Sequence, residues 1–462
     1  MSTIHDSALD ELQSTVRGPV FQRGDDGLAA EAAGFNAITM HNPDFVVGAT
    51  NEADVQAAVR FAAARSLPVF AQATGHGAAQ GLTHGVLVLT HRMNSVTIDP
   101  VARIATIGAG ARWTPVVAAA AEYGLMPISG STPDVGAVGF TMGGGLSPVG
   151  RTFGFACDWV RSFRVVTADG EAVAASITEN PDLFWALKGG KWGLGVVTEM
   201  RTELLPLTSV YGGGLFFDTE HIEAAFRAWA DWTKNVSDSV SSSVALIRFP
   251  DLEMAPPPLR GKFLLHLRFA YVGEEGTGTD ERAAEAERIL TPLRQAAPVY
   301  LDLVGELPTS ELKLIHSDPD GPLPAWERGV LLADIDQEFV TALLSQVGAG
   351  TEVPLLVVEC RHLGGAMARA PEAGDAAGGR GAAYTCYTVG APVPELFEHV
   401  IPGVAAGMFA AVEPWTSVES NVNFAGPMSM ERLASIWPPA TSTRLAGVRS
   451  QYDPTSVFAL PF

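Results

Sequence analysis

The stretch Gln72 to Gly81, QATGHGAAQG, sets one histidine, His76, among Gly, Ala and Thr. Small residues let a backbone approach a large flat ligand closely. An imidazole held in such a loop presents a nitrogen that can act as a nucleophile. A tight turn with the histidine bonded to backbone is the plainer reading of this stretch alone. A second stretch, Ile128 to Gly154, ISGSTPDVGAVGFTMGGGLSPVGRTFG, is too rich in Gly and Pro for a regular element and too long for an idle connection. Its Val135, Val138, Phe140 and Met142 call for burial, so it reads as a structured loop that can turn successive backbone N–H groups toward phosphates or a flat ring. A third stretch lies near the C-terminus. From Thr416 to Phe424, Ser417, Glu419, Asn421 and Asn423 alternate with Val418, Ser420, Val422 and Phe424. That period of two predicts a strand with one polar face. Glu419 on that face is a candidate base, because a carboxylate near an apolar ring has its pKa raised toward working pH. Tyr384 and Tyr387, on a neighbouring predicted strand, are the other candidates, and as phenols they need activation.

The elements around these stretches read as follows. An acidic helical lead-in and a loop occupy residues 1–35, and Pro43 to Ala49 is a strand. Thr50 or Asn51 caps a helix over Glu52 to Arg65, with Val55, Ala58, Val59 and Ala62 on one face. Pro68 to Ala71 is the strand that feeds the His76 loop. Short strands at Gly85 to Thr90, Val96 to Asp99 and Arg103 to Ile107 precede a helix from Pro115 to Tyr123. After the long glycine loop come a strand from Trp159 to Thr167, a hairpin turn at Ala168-Asp169-Gly170, a helix over Asp182 to Leu187 capped by Asn180, and a strand from Val196 to Leu204. Longer strands then appear at Tyr211 to Phe217, Ser243 to Phe249, Phe263 to Tyr271 and Pro354 to Arg361, with helices at Glu220 to Trp232, Glu281 to Gln295 and Pro394 to Phe409. Long strands with helices between them predict an α+β layer, one sheet covered on one face. Ala366 to Ala383 reads as a mobile loop, and a final helix precedes YDPTSVF.

A length of 462 residues calls for two domains or more. The formal net charge of −21 disfavours nucleic acid or an anionic membrane as partner. No apolar stretch is long enough to span a bilayer, and the N-terminus lacks the apolar core of a signal peptide. Cys157, Cys360 and Cys386 are odd in number and far apart, so neither a disulfide framework nor a metal site is expected, and a cytoplasmic protein with free thiols is the plain inference. GAGARW, Gly108 to Trp113, lacks the third glycine of a dinucleotide fingerprint. GLSPVG, Gly145 to Gly150, misses the spacing of a hydrolase nucleophile elbow, and HSDPDG, His316 to Gly321, reads as a turn and not as a calcium loop. What remains is a cofactor held by glycine-rich loops.

Taken in order, the motifs resemble the FAD-binding fold of the vanillyl-alcohol-oxidase (PCMH) type, and most closely the berberine-bridge-like FAD-linked oxidases. PVFAQATGHGAAQG looks like that family's loop with the flavin-linking histidine, GSTPDVGAVGFTMGGG like its second flavin loop, and VGRTFGFACDWVRSFRVVTADG like the segment that runs along the FAD. LFWALKGGKWGLGVVTEM resembles its glycine turn and following strand, SNVNFAG a strand that returns to the flavin, and YDPTSVF its closing motif. The resemblance implies a two-domain α+β fold: an FAD-binding domain over residues 1–205, an antiparallel-sheet substrate domain covered by helices over 206–415, and a segment over 416–462 that returns to the first domain. It implies FAD as cofactor, held by Gln72, Ala73, Thr74, Gly75, His76, Gly77, Gln80 and Gly81 in the first loop, and by Thr132, Pro133, Val135, Gly136, Ala137, Gly139, Phe140, Gly143 and Gly144 in the second. Asp158, Gly195, Val197 and Asn423 complete the set.

The resemblance further implies an oxidase that moves hydride from a small alcohol, sugar, amine or specialised metabolite to flavin and then to dioxygen; the alternatives are a flavin dehydrogenase with a non-oxygen acceptor and a catalytically silent ligand-binding relative. Four positions depart from the family pattern. Thr132 stands where many relatives carry a second, cysteinyl flavin link, so a single link at His76 is expected. Gln72 replaces an arginine, and Gly193 an asparagine. Asn421 replaces a tyrosine that serves the substrate, and it cannot remove a proton at neutral pH, which turns attention to Glu419. Ala137, by its place in the second loop, is expected beside the reactive flavin carbon, where a small side chain leaves room for dioxygen.

Overall fold

The computed structural model describes residues 2–460 apart from Ala79, Met254, Glu275 and Asp320. Ala79 of the first loop, Asp320 of the HSDPDG turn and the last two residues of the tail therefore lie outside the described residues.

Two small sheets build the first half. Strands β1 (Val20–Gln22), β2 (Phe45–Gly48), β3 (Val69–Gln72) and β4 (Val86–Leu89) lie in the order β1-β2-β4-β3, with β2 and β3 both parallel to β4. Helices α1 (Ser2–Thr15), α2 (Leu28–Ala32) and α3 (Glu52–Ala64) accompany them. Asn51 caps α3 by accepting from the Asp54 amide at 3.1 Å, and α3 buries Val55, Ala58, Val59 and Ala62 in the core under this sheet. Both β1 and α2 fall inside residues that the sequence pattern presents as loop, since three- and five-residue elements leave too little periodicity to read.

The second sheet is antiparallel, in the order β5-β6-β9-β7-β8, from β5 (Val96–Asp99), β6 (Ile104–Gly108), β7 (Val160–Val166), β8 (Ala172–Ser176) and β9 (Val196–Glu203). Helices α4 (Trp113–Ala121), α5 (Ala137–Met142) and α7 (Pro181–Leu187) belong to it, while α6 (Gly150–Phe153) packs instead on the sheet of the second half. The long glycine loop thus contains two short helices, α5 and α6, whose glycines mask them in the sequence. Asn180 precedes α7 as expected but does not cap it: its backbone is left-handed (φ 46°), and its side chain donates to Ala174 O at 2.7 Å.

The second half is one mixed layer. An eight-stranded sheet runs β13-β10-β12-β11-β16-β17-β15, with β14 also on β10. Its strands are β10 (Ser209–Asp218), β11 (Val240–Arg248), β12 (Phe263–Tyr271), β13 (Leu301–Asp302), β14 (Gly305–Pro308), β15 (Glu327–Leu332), β16 (Leu355–His362) and β17 (Tyr384–Gly390). Helices α8 (Ile222–Trp232), α9 (Thr279–Ala296), α10 (Gln337–Val347) and α11 (Val400–Ala411) cover one face. That face carries Leu215, Val244, Leu267, Leu332, Cys360, Tyr384 and Cys386, packed against Phe226, Trp229 and Phe339 of the helices. Each such fully buried side chain contributes roughly 1.5–3 kcal/mol, which fixes the register and leaves the other face free for polar groups.

The tail closes back on the first half through α12 (Met430–Ala434) and α13 (Pro439–Tyr452). Leu445 and Val448 of α13 enter the core of the second small sheet, and Arg449 donates to Gly190 O and Trp192 O at 3.1 and 2.9 Å. Asp453 of YDPTSVF accepts from the amides of Val457 and Phe458, both at 2.7 Å. No helix among the described residues is long and apolar enough to cross a membrane.

Two further expectations fail here. The segment 416–424 is not a strand beyond a single bridge from Thr416 to Leu332. Val418 is 95% exposed while Asn421 is 2% exposed, the reverse of the predicted faces. Its amides bond to scattered partners, Ser417 to Leu331 O and Ser420 to Ile436 O, and Phe424 closes a turn on Asn421 O. The second is the loop after β16, which is pinned and not mobile. Arg380 pairs with Asp158 at 2.5 Å and with Asp375 at 2.6 Å, and Trp437 donates to Ala376 O at 2.7 Å.

Candidate active site

Strand β3 delivers the His76 loop to the edge of its sheet. Gln72, its last residue, turns its side chain behind the loop: Oε1 lies 3.0 Å from His41 Nε2, and Nε2 donates to Ala32 O at 3.1 Å. Gln72 therefore holds the loop's frame and does not face a phosphate. Thr74 ties the two glycine loops together, since its Oγ1 accepts from the Gly136 amide at 3.3 Å and lies 2.8 Å from His76 Nδ1. Phe35 stacks on the imidazole at a centroid distance of 3.8 Å. Nδ1 is thereby engaged, and His76 Nε2 is left buried without a hydrogen-bond partner. Burial, with the Arg112 charge adding to it and Asp134 opposing, lowers the imidazole to about 4, so it is neutral and nucleophilic at physiological pH. Gly75 has φ 74°, and a Cβ there would meet Gly34 Cα at 2.7 Å, so only glycine lets the loop pass. Ala73 is half-buried; Gly77, Gln80 and Gly81 are exposed along the rim.

The second loop faces the first. Gly136 opens α5, and Gly139 is exposed with no atom within 4 Å of a notional Cβ. Thr132 and Ser131 donate to Asp318 Oδ2 at 2.7 and 2.8 Å, so the HSDPDG turn docks on this loop. Pro133 and Val135 are half-buried, and their carbonyls accept from the Thr114 and Trp113 amides. Asn423 bridges both halves: its Nδ2 donates to Phe140 O at 2.8 Å, and its Oδ1 accepts from Lys191 Nζ at 2.7 Å. A Cβ on Gly143 would collide with that Asn423 amide, and Gly144 (φ 99°) makes the turn behind it.

Four cofactor expectations are corrected. Ala137 is fully buried, with its methyl in the core beside Trp113, so it does not front a reacting group. Asp158 is taken by Arg380 and by the Phe155 amide at 2.9 Å. Val197 packs in the core, and Gly195 (φ 116°) serves the entry to β9 against Val166.

The polar face of the large sheet looks toward these loops. Cross-strand pairing aligns Tyr387 with Glu359, Thr385 with Arg361, Arg361 with Ser243, and Ser243 with Arg268, all on one face. Tyr387 donates its phenol to Glu327 Oε2, from β15. Burial pushes Glu327 above the usual carboxylate range, against the Tyr387 hydrogen bond and the Lys191 charge. Burial and the neighbouring Glu327 push the Tyr387 phenol well up. Lys191 has a left-handed backbone (φ 56°), which costs a non-glycine residue energy and is retained here to aim its amine at Asn423. Its Nζ lies 3.7 Å from a notional Cβ on Gly77, and burial lowers it to about 8. Tyr387, Glu327, Lys191 and Asn423 thus form one connected group against both glycine loops.

The other three base-region candidates stand elsewhere. Tyr384 is three residues from Tyr387 in the same strand and so faces the helices, where its hydroxyl lies 2.8 Å from Thr233 Oγ1. Glu419 accepts from the Gly379 amide at 3.0 Å and fastens the loop after β16. Asn421 donates to Gly378 O at 3.2 Å and accepts from the Asn423 amide at 3.0 Å, a supporting position. Sequence reasoning missed Glu327, Lys191, Arg361, Glu359 and Arg268. The signal was present: VVECRH and LLHLRFA each carry polar residues two apart inside an apolar strand, the pattern of a polar inner face.

An unpartnered buried imidazole nitrogen, exposed glycines on two facing loops and a buried polar group between them suit a flat, phosphate-bearing cofactor. Comparison with known proteins identifies it. The FAD binding domain family matches residues 43–176. An uncharacterized FAD-linked oxidoreductase from Arthroderma benhamiae is 31% identical over 222 residues, 47% of this chain and 44% of that protein. The chain thus spans less than half the length of that relative. The (R)-6-hydroxynicotine oxidase of Paenarthrobacter nicotinovorans is 24% identical over 474 residues, 96% of each chain. Among solved structures, the xylooligosaccharide oxidase from Myceliophthora thermophila C1 superimposes with a TM-score of 0.80 at 22% identity, over 99% of this chain and 98% of that one. The chain carries an FAD-binding domain, and its overall fold is that of the berberine-bridge-like, PCMH-type FAD oxidases. Its cofactor is FAD.

Proposed function

We propose that the protein is an FAD-linked oxidase that takes hydride from a C–H bond of a small organic substrate bearing a hydroxyl group, and that Tyr387 with Glu327 receives the matching proton. One observation carries this reading: a phenol–carboxylate pair, with a lysine amine beside it, faces the two glycine loops that this reading assigns to the cofactor. FAD, when bound, accepts the hydride and hands its electrons to dioxygen. The chain's own residues do the rest. His76 offers Nε2 as the attachment atom, held in place by Thr74 and Phe35. Phe140 O and the Gly143 backbone are set by Asn423. The substrate hydroxyl gives its proton to Tyr387 Oη while the phenol's own proton passes to Glu327, so no free phenolate is needed. Lys191, cationic below about pH 8, offsets the carboxylate's charge and keeps it a usable acceptor. The names of the relatives, a hydroxynicotine oxidase and a xylooligosaccharide oxidase, support a small organic substrate without choosing its class.

The test is a substrate panel of alcohols, sugars and amines mixed anaerobically with the purified yellow protein. Bleaching of the flavin by a substrate, followed by oxygen uptake and peroxide on aeration, is the expected result. A colourless protein, or a flavin that no substrate bleaches, would overturn the reading. Bleaching without oxygen uptake would keep the oxidoreductase and replace the electron acceptor.

A further inference from the structure

Next to Tyr387 on the inner sheet face lies a buried charge cluster that the proton relay does not use. Glu359 is 2% exposed and accepts from Arg268 Nη1 at 2.6 Å, Arg361 Nη2 at 2.9 Å and Ser243 Oγ at 2.7 Å. Burial alone would raise its pKa, but the two guanidinium groups and Ser243 hold it at about 2, so it is an anion throughout. His266 and His316, both buried, are pushed well below the usual histidine range by burial and by the arginines, so they are neutral. Two fixed cations therefore face one fixed anion, and the cluster keeps a positive charge in a dry place. Such an excess is unfavourable unless something compensates it.

The hydrogen bonds are also incomplete. Arg361 Nε, both ring nitrogens of His316 and the Thr385 hydroxyl directly across from Arg361 are buried without partners. Arg361, Arg268, His316 and Ser243 line a small cavity together with Leu146 and Ser147 of the first half. It has about 20 Å³ of room, enough for one small polar group and too little for a sugar ring. Arg361 stands diagonally from Tyr387 in the β16–β17 ladder, a backbone separation of roughly 7–8 Å, and both rims meet at Phe424.

We propose that this cluster is a subsite for a substrate carboxylate, with Arg361 as its main ligand and Arg268 and His316 in support. The inference rests on the oxidase reading above and deepens it: the substrate is a hydroxy acid whose reacting carbon lies several bonds from its carboxylate, one end at Arg361 and the other at Tyr387.

The experiment compares acids with their own amides on the FAD-loaded protein. Three pairs serve: 6-hydroxyhexanoate, 4-(hydroxymethyl)benzoate and galacturonate, each against its carboxamide. Calorimetric binding is measured first, then anaerobic flavin reduction. At least one acid is expected to bind tenfold or more tightly than its amide, with the preference shrinking as salt is added. Arg361→Met should abolish the preference, Arg361→Lys should keep part of it, and Tyr387→Phe should keep all of it while slowing reduction. Acids and amides that bind within twofold of each other in all three pairs overturn the subsite, as does a preference that survives in Arg361→Met. If Arg361→Met does not fold, the wild-type pairs and Arg361→Lys still decide. Binding is read without flavin chemistry, so an acid preference with an unbleachable flavin would sink the oxidase reading and leave the subsite standing.

Discussion

Around His76 the groups on offer are largely backbone, and on the large sheet they are side chains paired with one another. The two glycine loops present amides and open space; their side chains, Thr74, Gln72 and Thr132, act mainly to tie loop to loop. The sheet face presents Tyr387 on Glu327 and Arg361 on Glu359, groups held by a rigid register. Loops of small residues can close on a large cofactor whose shape does not vary. A sheet can change its substrate one alternate position at a time without disturbing the helices behind it. If this division is right, damage to the loops removes the cofactor, and damage to the sheet face leaves the cofactor and stops the reaction.

The largest effect is expected at His76. His76→Ala should lose all covalently held flavin, so that acid-precipitated protein turns white and the intact mass lacks FAD, while Thr132→Ala keeps the wild-type mass. A wild-type mass without FAD would remove the covalent link and leave non-covalent binding by the same loops. The next effect is at Tyr387. Tyr387→Phe should slow anaerobic flavin reduction by a factor on the order of 100 while the flavin stays bound. Loss of flavin from this variant would break the division between loops and sheet.

Two variants should do little, and they sharpen the contrast between neighbouring positions. Tyr384→Phe removes the contact with Thr233 behind the sheet, so stability falls by about 1 kcal/mol in urea melts and the reduction rate stays within roughly twofold. Glu419→Gln keeps an acceptor for the Gly379 amide, and its reduction rate should also stay within roughly twofold. A large drop in the Glu419 variant would return that carboxylate to the reaction and unseat the pair on the sheet.

The cofactor half was legible because its signals are local. The glycines of QATGHGAAQG and GSTPDVGAVGFTMGGG act through backbone shape, which is written in consecutive residues. The strand, helix and hairpin pattern up to Glu203 was legible for the same reason, apart from the short elements β1, α2, α5 and α6. The pair proposed to take the proton was half legible. Tyr387 was a candidate, but Glu327 comes from a strand sixty residues earlier, and only strand order brings them together. One point could have been read without any structure: Tyr384 and Tyr387 are three apart in one strand, so they cannot share a face. The reading of 416–424 failed because alternation in a short segment describes a strand only if a ladder is available. Here the segment crosses between the two halves, with Asn421 and Asn423 turned inward to satisfy Gly378 and Phe140.

The most direct test of the proton relay is the pH dependence of anaerobic flavin reduction in wild type and Glu327→Gln. Glu327 must be ionised to receive the proton, and burial raises its pKa above the ordinary carboxylate value of about 4.3. The rate should therefore be lost as pH falls through that raised value, giving an acid limb in the wild type that disappears in Glu327→Gln at a lower, flat rate. A wild-type profile with no such limb, or a Glu327→Gln profile that keeps it unchanged, would contradict the assignment of the proton acceptor to Tyr387 and Glu327.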